Sequence, residues 1–152
     1  MDETDAVIDV RLCDGTVDYR RVGSFPPQAG AECVFLGRTR RDRHPKHGQL
    51  VRLEYEAYQP LAERVLRELA AEAVARFGCL MVRVHHAVRE VPPGEASVLV
   101  QVACPHRSEA FEACRFLIDE LKARSPIWKR QIWADGAAWS EGRVVSTPED
   151  DG

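Results

Sequence analysis

Residues 96–134 read ASVLVQVACPHRSEAFEACRFLIDELKARSPIWKRQIWA, and they hold a strand, a helix and a strand in succession. Ala96 to Cys104 is an uncharged, Val-rich run of strand length, the pattern of a strand buried on both faces. Ser108 is suited to cap a helix, with Glu109 and Glu112 in the first turn, where the helix dipole favours anions. Ala110, Cys114, Leu117 and Leu121 recur at helical spacing, and Phe111 and Ile118 widen that stripe. Pro126 disfavours helical backbone at Ser125, so the helix should stop near Arg124. Ile127 to Ala134 resumes as a strand, and Asp135-Gly136 turns it back into a strand over Ala138 to Val145.

Upstream, the pattern continues. Leu80 to Val88 reads as a strand, closed by the turn Pro92-Pro93-Gly94. Pro60 opens a helix where its missing N–H is harmless, Leu61, Val65, Leu66, Leu69, Ala73 and Phe77 follow its period, and Gly78 ends it. In Leu50 to Tyr58, alternation puts Val51, Leu53, Tyr55 and Ala57 on one face. Ala31 to Leu36 reads as a buried strand. Residues 6–12 and 16–22 read as a hairpin around Cys13-Asp14-Gly15, followed by a loop over residues 23–30. The expected fold class is α+β: a mixed, antiparallel-rich sheet with two main helices. One domain is expected over residues 1–145, with a frayed acidic tail at 146–152.

Composition narrows the function. The chain has 152 residues, 45% hydrophobic and 30% charged, which excludes bulk disorder. The longest uncharged run, Ala96–His106, is far short of the roughly 20 residues that a membrane helix needs. No secretory signal pattern opens the chain, so a cytoplasmic location is expected. The five cysteines are an odd number with no CxxC pair, which reads as reduced thiols. Only Cys114 has an adjacent basic residue, so none is expected to carry a reactive thiolate. The net charge of −3 does not suggest a general nucleic-acid binder.

Positive charge is nonetheless concentrated in three places. Gly37 to Arg52 carries Arg38, Arg40, Arg41, Arg43, Lys46 and Arg52 against one acid, Asp42. Its first part, Gly37 to Gly48, reads as a long loop able to hold phosphate or another anion. Pro105-His106-Arg107-Ser108 lies at a helix start, where backbone N–H groups attract anions. Lys122 lies in that helix's last turn, and Lys129-Arg130 follow on the next strand. His44, His47, His85 and His86 form no set with zinc-site spacing, so no metal is expected. There is no GxxxxGK[ST], GxGxxG or GxSxG motif.

Together these segments resemble the large, catalytic subunit of molybdopterin synthase. The resemblance rests on Phe35-Leu-Gly-Arg-Thr-Arg40, Leu53-Glu-Tyr-Glu-Ala-Tyr58, Pro93-Gly-Glu95, His106-Arg-Ser-Glu-Ala-Phe-Glu-Ala113 and Leu121-Lys-Ala-Arg-Ser-Pro-Ile-Trp-Lys-Arg130, with Asp135-Gly136 and Trp139 following. It covers roughly residues 6–143. It implies an α/β hammerhead fold and a homodimer. A small ubiquitin-like sulfur-carrier subunit would dock at each end, making a heterotetramer, and insert its C-terminal Gly-Gly thiocarboxylate. The implied substrate is cyclic pyranopterin monophosphate (precursor Z). It would receive two sulfurs to form the dithiolene of molybdopterin, in molybdenum cofactor biosynthesis, and its cyclic phosphate would open. No cofactor is implied. The family's substrate site maps to Arg38, Thr39, Arg40, His106, Arg107, Arg130 and Gln131, and Arg143 matches an arginine given across the dimer. Lys122 is the expected principal catalytic residue, supported by Lys129, and Arg40 and Arg107 suit phosphate clamping. Two departures stand out: His86, Ala87, Val88 and Arg89 replace a family pattern His-Arg-x-Gly, and Gln131 replaces a common Glu. The competing expectations are a non-catalytic anion- or RNA-binding module using the 37–52 loop, and a catalytically dead scaffold.

Overall fold

The structure is a computed structural model that describes residues 6–20 and 24–144, with side chains described up to residue 136. The elements are β1 (Val7–Asp14), β2 (Ala31–Arg38), β3 (Arg43–His44), β4 (Gly48–Ala57), α1 (Gln59–Phe77), β5 (Met81–Val91), β6 (Ala96–Cys104), α2 (Arg107–Arg124), β7 (Ile127–Trp133) and β8 (Gly136–Val144). Strands neighbour one another in the order β2-β6-β5-β4-β7-β8, all antiparallel, with β3 on β4 and β1 parallel to β5. The fold is therefore α+β, antiparallel-rich, with two helices.

The expected hairpin at residues 6–22 does not form. Val7–Asp14 pairs instead with Met81–Val88, in parallel. Gly15, at φ 93°, turns the chain out of the strand, and Val17 is buried by a bond from its N–H to Ala96 O. Residues 16–20 form no strand; residues 21–22 and the 146–152 tail lie outside the described residues. β5 shares one edge between two partners: β1 along residues 81–88 and β4 along 89–91. Arg89, at φ 74°, sits at that handover.

Other boundaries moved for local reasons. The expected loop at 37–48 shrinks, because β2 runs to Arg38 and Arg43–His44 folds back on Gly48 and Gln49. Val51 is exposed and Leu50 buried, because the β4–β7 register slips between Leu50 and Arg52 and reverses the alternation there. α2 starts one residue before the expected cap: His106 is the N-cap, with no side-chain cap bond. Phe111 points outward, 64% exposed. Gly78 closes α1 in the left-handed conformation, its N–H on Val74 O.

The helices pack on one face of the sheet. Leu66, Leu69, Leu117 and Leu121 meet Val82, Val84, Val100 and Val102 in one core cluster. A second cluster gathers Leu53, Tyr55, Val91, Leu99, Ile127 and Trp133. The opposite face of β5 and β6 carries a buried polar chain. Arg83 Nη1 donates to Gln101 Oε1 at 2.6 Å, and Gln101 Nε2 donates to the Glu32 carboxylate. His85 Nε2 lies 3.1 Å from Asp9 Oδ2, out of hydrogen-bond alignment. Burial pushes the Asp9 carboxyl up, but His85 and Arg11 together pull it below its usual range.

Candidate functional site

A cavity of about 370 Å³ opens where the ends of several elements meet. Its walls include Phe35 and Arg38 of β2, Tyr55 of β4 and His86 of β5. Lys122 of α2 and Lys129 of β7 complete the chemistry-bearing lining, and Asp119 adds an acid.

The end of α2 places the first lysine. Ser125 stops the helix: its N–H and its Oγ both donate to Leu121 O, at 3.0 and 2.6 Å. Lys122 therefore stays in the last helical turn, where a cation is favoured. Pro126 then forces the chain into β7. The β4–β7 register sets Lys129 opposite Tyr55, so both face the cavity. Lys129 is only 4% exposed.

Strand alternation removes Arg130 from this group. It stands opposite Glu54, on the other face from Lys129, with Nη1 4.0 Å from Glu54 Oε1. The same carboxylate receives Arg52 Nε at 2.8 Å. Gln131 shares the Lys129 face, opposite Leu53, but is not part of the cavity lining.

Arg38 reaches the cavity from the end of β2. Its Nη1 donates to Gly94 O at 2.9 Å, and its guanidinium lies 5.2 Å from the centre of the Tyr19 ring. Thr39 is buried and spends its hydroxyl on Val91 O, at 3.1 Å. Its backbone donates to Glu95 O and accepts from Gly94 N–H, tying the Arg38 segment to the Pro92–Glu95 turn. Arg40 is exposed and lies outside the lining.

The three basic segments do not converge within one chain. His106 and Arg107 sit at the start of α2, and Lys122 is fifteen residues further on. A rise of 1.5 Å per residue separates Arg107 from Lys122 by roughly 22 Å. Arg143 lies on β8, but its side chain is outside the described residues.

His86 is the site residue that the sequence reading passed over. It faces the helices, between Val84 and Val88 in the alternation of β5. Its Nδ1 lies 2.8 Å from Ala87 O, and the Tyr55 ring meets it edge-on, centroids 5.2 Å apart. Burial, with Lys122 adding to it, lowers its pKa to about 4, so the ring is neutral at pH 7. A histidine in the apolar phase of a strand is the signal that could have found it. His85, its neighbour, points to the opposite face and Asp9. Among the described residues no group of three His, Cys, Asp or Glu side chains is placed to hold a metal, and no cysteine lines the cavity. Nor is any helix there long and apolar enough to cross a membrane.

Comparison with known proteins agrees in sequence and fold. Residues 7–124 match the family described as MoaE protein. The molybdopterin synthase catalytic subunit of Arabidopsis thaliana is 43% identical over 115 residues, 76% of this chain and 57% of that protein. That of Bacillus subtilis is 37% identical over 120 residues, 79% of this chain and 75% of that protein. The chain thus spans little more than half the length of the plant relative. The crystal structure of molybdopterin synthase from Staphylococcus aureus superposes with a TM-score of 0.74 at 30% identity, covering 92% of this chain and 98% of that one. A Helicobacter pylori structure, a complex of subunits 1 and 2 of molybdopterin-converting factor, shares the fold at 21% identity and a TM-score of 0.70. On sequence and structure alike, the chain belongs to the MoaE family, that of molybdopterin synthase catalytic subunits.

Proposed function

We propose that this chain is the catalytic subunit of a molybdopterin synthase, acting on precursor Z with a thiocarboxylated small subunit as sulfur donor. The observation that carries the reading is the meeting of Lys122, Lys129 and Arg38 on one cavity, with Lys129 almost wholly buried. Cations held in a recess of low dielectric suit a ligand that arrives as an anion, and both a thiocarboxylate and a cyclic phosphate do. The thiocarboxylate sulfur attacks an oxygen-bearing side-chain carbon of the pterin, forming a C–S bond as that oxygen leaves as water. A second water then cleaves the acyl–sulfur bond, leaving sulfur on the pterin and a carboxylate on the carrier, and negative charge develops on the acyl oxygen in that step. An ammonium at Lys122 stabilises that charge; an amine there acts as base or nucleophile.

His106 and Arg107 lie too far from Lys122 to serve the same cavity in one chain. That distance supports the homodimeric reading, in which a second copy brings its own basic segment to the site. The slender Gly-Gly tail of a ubiquitin-like partner fits a recess of this size, because glycine carries no side chain. The RNA-binding alternative gains nothing from the geometry: Arg38 faces the cavity and Arg52 is paired with Glu54.

The test is mass spectrometry of the pterin after mixing this chain with precursor Z and thiocarboxylated small subunit. Formation of molybdopterin is the expected result. Lys122→Ala should lower kcat by about 10²–10³-fold, with folding and partner binding kept. Lys129→Ala should cost less, roughly 10- to 100-fold. Substantial rescue by Lys122→Arg identifies an electrostatic role; no rescue identifies a base or nucleophile. A folded Lys122→Ala chain turning over at the wild-type rate would remove Lys122 from the mechanism.

A further inference from the structure

The cavity's three cations can only donate hydrogen bonds, since neither guanidinium nor ammonium carries an acceptor. They suit the anionic parts of the ligands assigned above. The pterin itself is different: its fused ring carries a lactam N–H and an exocyclic amine, both donors, which need acceptors. His86 offers one. Its ring is 1% exposed and forms part of the cavity wall. The contact of Nδ1 with Ala87 O fixes the proton on Nδ1, because the carbonyl can only accept. The lone pair is then on Nε2, which has no hydrogen-bond partner among the described residues. The edge-on Tyr55 ring limits rotation of the imidazole.

We propose that His86 is a substrate-binding residue whose Nε2 accepts a hydrogen bond from a ring N–H of the pterin. The inference rests on the functional reading above and extends it to the heterocycle. Nε2 of His86 is not sealed from the cavity, since His85 Nε2 is the buried polar atom left without a partner among the described residues. A ligand N–H can therefore reach His86 Nε2 and set the ring's orientation beside Lys122. The neutrality of the imidazole supports the acceptor role, since protonation would turn Nε2 into a donor.

The test separates acceptor from scaffold. Precursor Z binding is measured by calorimetry without the small subunit, so no turnover intervenes, and KM and kcat are measured in the full system. His86→Phe should weaken binding roughly 10-fold. His86→Asn, which keeps a donor near Ala87 O but lacks an acceptor at the Nε2 position, should behave like Phe. His86→Gln, whose Oε1 can occupy the Nε2 position, should restore most of the affinity. In the wild type, the ¹⁵N resonance of His86 Nε2 should move upfield with precursor Z and stay in place with inorganic phosphate alone; this measurement stands even if a variant fails to fold. Unchanged affinity in the Phe and Asn variants, a loss confined to kcat, or an unmoved Nε2 resonance with bound precursor Z overturns the inference. Each of those results leaves the functional reading intact if the wild type still makes molybdopterin. A wild type that binds precursor Z through His86 and makes no product overturns the functional reading instead.

Discussion

Arg89 is the only non-glycine residue with positive φ among the described residues, at 74°. Left-handed backbone costs an L-residue roughly 1–2 kcal/mol relative to glycine. The pattern of the resembled family has glycine here, and this is the point where β5 changes partner from β1 to β4. Arg89 Nε is 3.0 Å from Asp14 Oδ1, but both side chains are largely exposed, so the pair offsets little of the strain. Arg89→Gly should raise stability by about 0.5–1 kcal/mol, since glycine's extra freedom in the unfolded chain returns part of the gain. Urea unfolding of the two proteins checks it; a less stable glycine variant would mean that the Asp14 contact outweighs the strain. Residue type showed Lys122, Lys129 and Arg38 only as members of three basic segments; grouping them as one site came from the family resemblance. Arg130 was grouped with Lys129 although neighbours on a strand face opposite ways. His86 stayed hidden because its tautomer and neutrality depend on Ala87 O, Tyr55 and α2, which only the fold brings together.

Elements with a local cause were readable. β6 runs from Ala96 to Cys104 as expected, and Gly78 and Pro126 mark the ends of the two helices. β1 departs from expectation because Asp-Gly between two apolar runs is a local signature of a hairpin, whereas parallel pairing with β5 leaves no trace nearby. The short hairpin inside the basic loop is hidden for the mirror reason: Arg43 and His44 pair with Gln49 and Gly48, so neither side carries an apolar signal. The junction of α2 and β7 is where an element's end matters to chemistry. Ser125 is 2% exposed and gives Leu121 O two hydrogen bonds. Ser125→Ala keeps the backbone bond and loses the hydroxyl one, at about 1 kcal/mol. Thermal unfolding should show a midpoint about 2–4 °C lower. An unchanged midpoint would show that the hydroxyl does not hold the helix end.

Across the whole molecule, two neighbouring histidines are buried on opposite faces of β5, and both have lowered pKa values, chiefly from burial. Their unfolded value is about 6.5, so between pH 6.5 and about 4 the unfolded chain binds more protons. Stability therefore rises with pH through this window; the contribution is complete above 6.5 and is lost as pH falls towards 4. His86 alone should make the protein roughly 2 kcal/mol less stable at pH 5 than at pH 7. Urea titrations at both pH values check this, and His86→Phe should flatten the difference by that amount; an equal slope in both proteins would show that His86 does not stay neutral when buried. The sheet that holds these histidines is also assembled out of order. β1 meets its partner only at residues 81–88, and β2 only at residues 96–104. At the usual 5–20 residues per second, a ribosome needs about 3–13 s to go from the end of β2 to the end of β6. Through most of that interval the nascent chain presents two strands with their backbone edges unmatched, so this protein's yield in a cell depends on what shields them during synthesis.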